Sequence, residues 1–414
     1  MRRRLPFLIT ALVVACYLGV AGVGVAPYYT AVSGFISSAT NNSDAGSNAP
    51  TSTTAQVRAA KTATLHHPVA VKPAATPLPL AVQIRLRNEA RVRSLARSAH
   101  PPTGRVNILV LGSDNDTKVE TAKSPDTQVM IVLSFDTISH TLTILSIPRD
   151  FWVRIPGYGY NIGPDGTVGW SKIDVAAGLG FDSAACAVEY NFQIPIQHWV
   201  WVGLKGFTGV VNTVQGVTLD VTYPLIDDVY PDDLAGGNAY AYRRLYIPPG
   251  PQHLNGDDAL RYVRSRHGDV QGDFARSARQ QVLLTQLRRV LLTQDGSALV
   301  ALAPSLFNDL SHEVKTDLSP DLGTAVTYYQ LLRSVGGSTP KQAVLQPPTY
   351  STPGTEIDVD PRHGGSGVNG GYGQSEYTVE PNWPAIDAEI KTLFGGQYFN
   401  FAHSHCAKVP GAKL

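Results

Sequence analysis

"VNILVL", residues 106–111, is a short apolar run that does not alternate with polar residues. It reads as a strand buried on both faces rather than as the edge of a half-wet sheet. Working outward, "VMIVLSF" (129–135) repeats the pattern, and "TLTILSI" (141–147) alternates as a third strand. Helical periodicity follows at about 171–190 and 204–214, and "VTLDVTY" (217–223) reads as a further strand. Strands interleaved with helices predict an α/β sheet covered on both faces. After about residue 230 the chain reads as loops rich in Pro and Gly, then as helices near 256–264, 273–294, 318–334 and 382–394. In the last of these Ile386, Ile390 and Phe394 recur at i, i+4 and i+8. "HGGSGVNGGYGQ" (363–374) is a Gly-rich loop with little that could pack.

The chain has 414 residues, with 34 basic against 33 acidic, so no global charge favours nucleic acid and any basic site must be local. Arg2, Arg3 and Arg4 precede an uncharged stretch from Leu5 to Ala26, about the length that spans a bilayer. The pattern predicts a cytoplasmic flank and transmembrane signal-anchor over 1–27, with everything after it outside the cell. A cleaved signal peptide is the alternative. Val13-Val14-Ala15-Cys16 resembles a lipoprotein cleavage box, but the apolar run continues through Val25. Residues 28–102 read as a flexible extracellular stalk, rich in Ser, Thr, Asn, Ala and Pro at first. Toward its end Arg85, Arg87, Arg91, Arg93 and Arg97 alternate with Leu, Val and Ala, as in a linker helix or one lying on anionic lipid. An outside location permits disulfides. Cys186 and Cys406 are the cysteines past the span, and we expect them to pair, two separate thiols being the alternative. No CxxC or His-rich spacing supports a zinc site.

The helix over 273–294 carries an apolar stripe of Leu283, Leu287, Val290 and Leu291. Extended backwards at helical spacing, the stripe meets Gln280, Arg279 and Arg276. A solvated face would place those arginines opposite the leucines. Inward-facing guanidinium groups need anions beside them, and an internal ion pair such as Arg276 with Asp273 is the plain alternative. Arg264 and Arg266 lie two apart at the end of the preceding helix, in "ALRYVRSRH" (259–267). In "LSIPRDFWVRIPG" (145–157), Pro148 ends a strand and fixes the direction in which Arg149 leaves it. Arg149, Arg264, Arg266, Arg276 and Arg279 are therefore candidates for one pocket. Arginine matches phosphate oxygens two at a time, so the cluster points to a ligand with more than one phosphoryl group. Asp114 follows the first strand, at the carboxyl edge where open α/β sheets bind ligands, and Asp126 precedes the second. On neighbouring strands they could hold Mg²⁺, or Mn²⁺, against a diphosphate; taken singly, each is an ordinary turn residue.

"NILVLGSD", "SPDTQVMIVLS", "LSIPRDFWVRIPG", "HLNGDDALRYVRSRH" and "DFARSARQQ" together resemble the LytR-CpsA-Psr family of bacterial cell-envelope proteins, in the family's order and over about residues 105–294. The resemblance implies an α/β/α sandwich with a central mixed sheet and a hydrophobic tunnel for a polyprenyl chain. It places a catalytic core over 103–300 and leaves 301–414 to complete or cover it. It implies transfer of a glycopolymer (teichoic acid, capsular or arabinogalactan-like) from a polyprenyl-pyrophosphate carrier to peptidoglycan, at the cell membrane. On the matching positions, Asp114 and Asp126 would be metal ligands, and Arg149, Arg264, Arg266, Arg276, Arg279 and Gln280 would bind pyrophosphate. Arg149, Arg264, Arg266 and Asp126 form the expected catalytic set, and Asp273 would hold an arginine in place. The match departs at Lys123 and Pro125, at Ile173-Asp174-Val175-Ala176, and at "QGV" (215–217).

The mechanism these residues suggest is phosphoryl transfer, which rests mainly on positioning and electrostatics. A pyrophosphatase acting on the same carrier is one rival, and a non-catalytic lipid-binding scaffold is another. A lipid tunnel alone needs neither the acids nor the arginines. A dinucleotide-binding protein is excluded, since no G-x-G-x-x-G follows the first strand.

Overall fold

The computed structural model describes residues 100–113, 127–159, 165–232, 241–267, 272–293, 313–358 (except 320), 375–396 and 399–412, with Gly163 and scattered positions from 79 to 97. The apolar span, most of the stalk, Asp114, Asp126 and the Gly-rich loop lie outside them. Among the described residues no helix is long and apolar enough to cross a membrane.

In chain order the strands and helices are β1 (Arg105–Gly112), β2 (Val129–Asp136), β3 (Thr141–Ser146), β4 (Trp152–Arg154), β5 (Trp170–Lys172), α1 (Phe181–Phe192), β6 (His198–Val202) and α2 (Leu204–Thr213). Then come β7 (Val217–Val221), β8 (Leu225–Pro231), β9 (Tyr242–Ile247), β10 (Gly250–Leu254), α3 (Gly256–Arg264) and α4 (Asp273–Thr293). The last are β11 (Val314–Thr316), α5 (Leu322–Ser334), β12 (Lys341–Val344), β13 (Ser351–Asp358), β14 (Ser375–Pro381) and α6 (Trp383–Phe394).

The central sheet runs β11-β6-β1-β2-β3-β12. It is mixed: β1, β2 and β3 form an antiparallel meander, while β6 and β12 add parallel to β1 and β3. Because side chains alternate across a strand, β1 sends Val106, Ile108 and Val110 into one core and Leu109 and Leu111 into another. The first core is closed by α2, α4 and α5 through residues such as Val210, Leu287 and Val326. The second is closed by α1 and α6 through Ala184, Val188, Ile386 and Ile390. A continuous apolar strand is thus buried on both faces, as its sequence predicts, and the layers are α/β/α.

Three readings change. "HWVWV" forms β6 inside the stretch between two helical patterns, and it pairs parallel with β1. The region after about residue 230 is not all loop: β9 pairs with β8, and β10 with β7, as small sheets outside the central one. The helical reading from 171 splits into β5, a 3-10 turn over Ile173–Leu179 and α1, because Gly180 at φ 128° interrupts it.

Cys186 and Cys406 form a disulfide 220 residues apart in sequence, tying the C-terminal segment to α1.

Candidate functional site

The site lies at the carboxyl ends of β1 and β6. Gly112 closes β1 opposite Val129, and a Cβ at Gly112 would stand 2.9 Å from that valine's own Cβ. Gln128 N donates to Gly112 O at 2.8 Å, and Ser113 N donates to Val202 O at 3.1 Å. The described ends of the segment that carries Asp114 and Asp126 are therefore adjacent.

Two cavities meet here. The first is narrow, about 150 Å³, and its walls include Val110, Ile131, Val202, Phe207, Val263 and Leu284. Its polar lining includes Arg264, Arg266 and Arg276. The second, about 650 Å³, is lined by Arg149, Asp150, Lys172, Asp273 and Arg276 among others. Gln128, Val129, Arg276 and Gln280 line both.

The five arginines expected in one pocket are divided by this arrangement. Arg149 faces the second cavity, Arg264 and Arg266 face the first, and Arg276 stands between. Arg279 lines neither; this is a correction to its expected place. Its Nε donates to Tyr262 O at 2.9 Å and its Nη2 donates to Ser265 O. Gln280 Nε2 donates to Val263 O at 3.3 Å. The last carbonyls of a helix lack intrahelical partners, and a cation there complements the helix dipole. The inward stripe of α4 therefore caps α3 with Arg279 and Gln280, and so sets where Arg264 and Arg266 stand.

Asp273, the first residue of α4, is shared among three guanidinium groups. Arg149 Nε is 3.1 Å from Oδ2, Arg276 Nη2 is 3.2 Å from the same atom, and Arg266 Nη1 is 3.8 Å from Oδ1. The internal pair of Arg276 with Asp273 therefore exists, but within a larger cluster. Burial alone would push the Asp273 carboxyl up; Arg276, Arg149 and Arg266 outweigh it and hold the group below the usual carboxylate range. For Arg149, burial disfavours the cation, but Asp150, Asp273 and Asp174 more than offset it. Arg149 also donates from Nη1 to Gln128 Oε1. Asp150 lies 3.4 Å from Arg149 Nε and 3.3 Å from Lys172 Nζ.

Sequence reasoning missed Asp227 on β8. Its carboxylate is 1% exposed and accepts from Ser265 Oγ at 2.7 Å and from Arg266 N and His267 N at 3.3 Å each. It thereby pins the backbone that carries Arg266. Burial would raise its pKa, but these donors hold it below the usual range. A signal was present: Asp227 shares the buried face of "LIDDVYP" with Leu225, at strand period. Asp150, Gln128 and Lys172 were also missed.

Among the described residues no three His, Cys, Asp or Glu side chains converge as a metal site. The sequence-expected ligands, Asp114 and Asp126, lie outside those residues.

The site thus sets an apolar cavity against clustered arginines within an α/β/α frame. The LytR_cpsA_psr family model matches residues 81–346, and the chain belongs to this family. The polyisoprenyl-teichoic acid–peptidoglycan teichoic acid transferase TagV of Bacillus subtilis is 30% identical over 289 residues, covering 69% of this chain and 63% of that protein. The polyisoprenyl-teichoic acid–peptidoglycan teichoic acid transferase TagU of Enterococcus faecalis is 28% identical over 218 residues, covering 52% of this chain and 62% of its own. The chain thus spans less than two thirds of the length of these relatives. The crystal structure of B. subtilis TagV resembles the fold with a TM-score of 0.50 at 25% identity, covering 70% of this chain and 96% of that one.

Proposed function

We propose that this protein transfers a glycopolymer from a polyprenyl-pyrophosphate carrier to peptidoglycan, forming a phosphodiester. One observation carries the reading: the apolar walls of the first cavity run into Arg264, Arg266 and Arg276. A prenyl chain needs the first part and a pyrophosphate the second. A lipid-binding scaffold has no use for a guanidinium group buried as that of Arg276 is. The names of TagV and TagU, as transferases of polyisoprenyl-linked teichoic acid to peptidoglycan, support the same class.

In this reading the first prenyl units lie in the narrow cavity and the pyrophosphate sits at its boundary with the second. A peptidoglycan hydroxyl oxygen bonds to the glycan-side phosphorus. The bond from that phosphorus to the bridging oxygen breaks, and polyprenyl phosphate leaves with the electron pair. Arg149, Arg264, Arg266 and Arg276 stabilise the charge that develops on phosphoryl oxygens. Asp227 holds the Arg266 backbone, and Asp273 aligns Arg149 and Arg276. The hydroxyl proton would pass to one of the two aspartates expected at the metal, Asp114 or Asp126. Two carboxylates on the segment that joins β1 to β2 in sequence are an oxygen-only donor set, which suits a hard cation. Asp114 and Asp126 would hold Mg²⁺ or Mn²⁺, whose part would be to neutralise pyrophosphate oxygens. Membrane attachment through Leu5–Ala26, with the folded part outside the cell, completes the proposal; the Cys186–Cys406 disulfide supports an oxidising compartment.

The test incubates the full chain in detergent with a polyprenyl-pyrophosphate-linked saccharide, Mg²⁺ and peptidoglycan fragments. Mass spectrometry follows polyprenyl phosphate and linked glycan. Linked product that is lost in Arg149→Ala is expected. Polyprenyl phosphate without linkage would replace the reading with a pyrophosphatase, and bound lipid without turnover would replace it with a scaffold.

A further inference from the structure

The second cavity has a wall that the family match does not include. The match ends at residue 346, yet Tyr377 and Val379 of β14 line the cavity beside Arg149. The strand is fixed there by the backbone. Val379 N donates to Asp150 O at 2.8 Å, and Val379 bridges Phe151 in parallel. At the foot of the β13–β14 hairpin, Asn382 N donates to Tyr350 O at 2.8 Å and Asn382 Nδ2 donates to Thr349 O at 3.0 Å. Tyr377 lies two residues before Val379 and so shares its face. Val379 is 1% exposed and Tyr377 is 51% exposed. The strand therefore packs at Val379 and overhangs the cavity at Tyr377.

An aromatic ring with a polar tip, standing open over a polar cavity, suits a ligand that is apolar on one face and hydroxylated at its rim. A pyranose ring is such a ligand. Asp150, Lys172 and Ser277 supply donors and acceptors around the cavity, whose volume of about 650 Å³ falls in the range of small-ligand sites. Its position also agrees. Arg276 and Gln128 border both cavities, so with a prenyl chain on the apolar side, the group beyond the phosphates enters the other.

We propose that Tyr377, supplied by a C-terminal hairpin outside the family's matched stretch, is a stacking platform for a pyranose ring of the glycan, and that this hairpin sets saccharide specificity. The inference deepens the transfer reading and rests on it for the ligand. The ring could come from the carrier-linked sugar or from the acceptor glycan; the chemistry is the same and the test separates them.

Calorimetry on the full chain in detergent would compare farnesyl diphosphate, farnesyl-diphosphate-linked N-acetylglucosamine and a soluble β-1,4-linked N-acetylglucosamine oligosaccharide. In Tyr377→Ala the affinity gained from the carrier-linked sugar is expected to fall about tenfold, as for an aromatic anchor at an interface. Tyr377→Trp and Tyr377→Phe keep the ring and should retain most of it. A loss confined to the oligosaccharide would support the platform and assign it to the acceptor. Equal losses on the two farnesyl ligands, or no loss on any, would overturn the proposal. So would an intact protein that binds neither saccharide. Should farnesyl diphosphate fail to bind while the oligosaccharide does so through Tyr377, the transfer reading falls and the saccharide platform stands.

Discussion

The two ends of β6 hold two buried charge clusters built in opposite ways. At its carboxyl end Val202 lines the first cavity, beside the cluster where Arg149, Arg266 and Arg276 share the single carboxylate of Asp273. At its amino end one carboxylate collects several donors instead. Asp182 Oδ1 accepts from Trp199 Nε1 at 3.1 Å, and it stands 2.6 Å from His405 Nδ1 and 3.5 Å from Lys408 Nζ. His198 lies 3.4 Å from Asp317. Glu189, 1% exposed, accepts from Ile196 N at 3.1 Å and His405 N at 2.9 Å, next to the disulfide. Where one acid is spread over several guanidinium groups, an incoming anion meets an excess of positive charge. Where each acid is surrounded by donors from a docked tail, the chemistry is already complete. The first arrangement suits binding and the second suits fastening.

The comparison breaks most sharply if Arg149→Ala leaves transfer intact. Loss of one group that stabilises developing charge lowers rates about 10²–10³-fold. That loss is expected in linked product by mass spectrometry, with the far-ultraviolet circular dichroism unchanged. At the fastening end, replacing Cys186 and Cys406 together by Ser should lower unfolding free energy by about 2–5 kcal/mol in urea melts, because the bridge closes a very long loop. Transfer below the melting range should persist. Glu189 gives the next effect. Burial pushes its carboxyl up to about 7, and the backbone donors only partly offset that. The folded protein then holds a proton that the unfolded chain, with the ordinary carboxyl value of 4.5, releases earlier. Its contribution to stability is fullest below the unfolded value and declines as pH rises from there to about 7. The slope is at most about 1.4 kcal/mol per pH unit. Thermal midpoints of the wild type and Glu189→Gln should diverge across that window, and parallel curves would show that Glu189 does not titrate there. The smallest effect is expected from Ser265→Ala, which removes one donor to Asp227. A loss of about 1–2 kcal/mol in stability and a modest rise in KM for the lipid carrier, with kcat nearly kept, would fit a group that positions Arg266.

Much of the site was legible because a helix writes its faces into the sequence. The stripe from Leu283 and Leu287 back to Gln280 and Arg276 is buried along its length. What periodicity does not report is the partner. Arg276 and Arg279 are equally inward, yet one meets Asp273 at the cavity boundary and the other meets the carbonyls that end α3. That choice depends on how α4 crosses α3. The strands β9 and β10 read as loop because small two-stranded sheets carry charged residues on their open faces, as Arg243 and Arg244 do here. Their pattern is largely polar, and Leu245, Ile247 and Leu254 turn inward.

The sequence by itself determined a mixed α/β architecture, a doubly buried β1, an arginine-bearing α4 and family membership, because these rest on local periodicity and on residues contiguous in the chain. Only the tertiary structure decided that Asp273 gathers three arginines, that Asp227 pins the turn after α3, and that Tyr377 overhangs the second cavity. Apart from the pairing of Asp273 with its neighbours Arg266 and Arg276, those contacts join segments far apart in sequence. They are set by the strand order of the sheet and the crossing of its helices, and no local pattern encodes them.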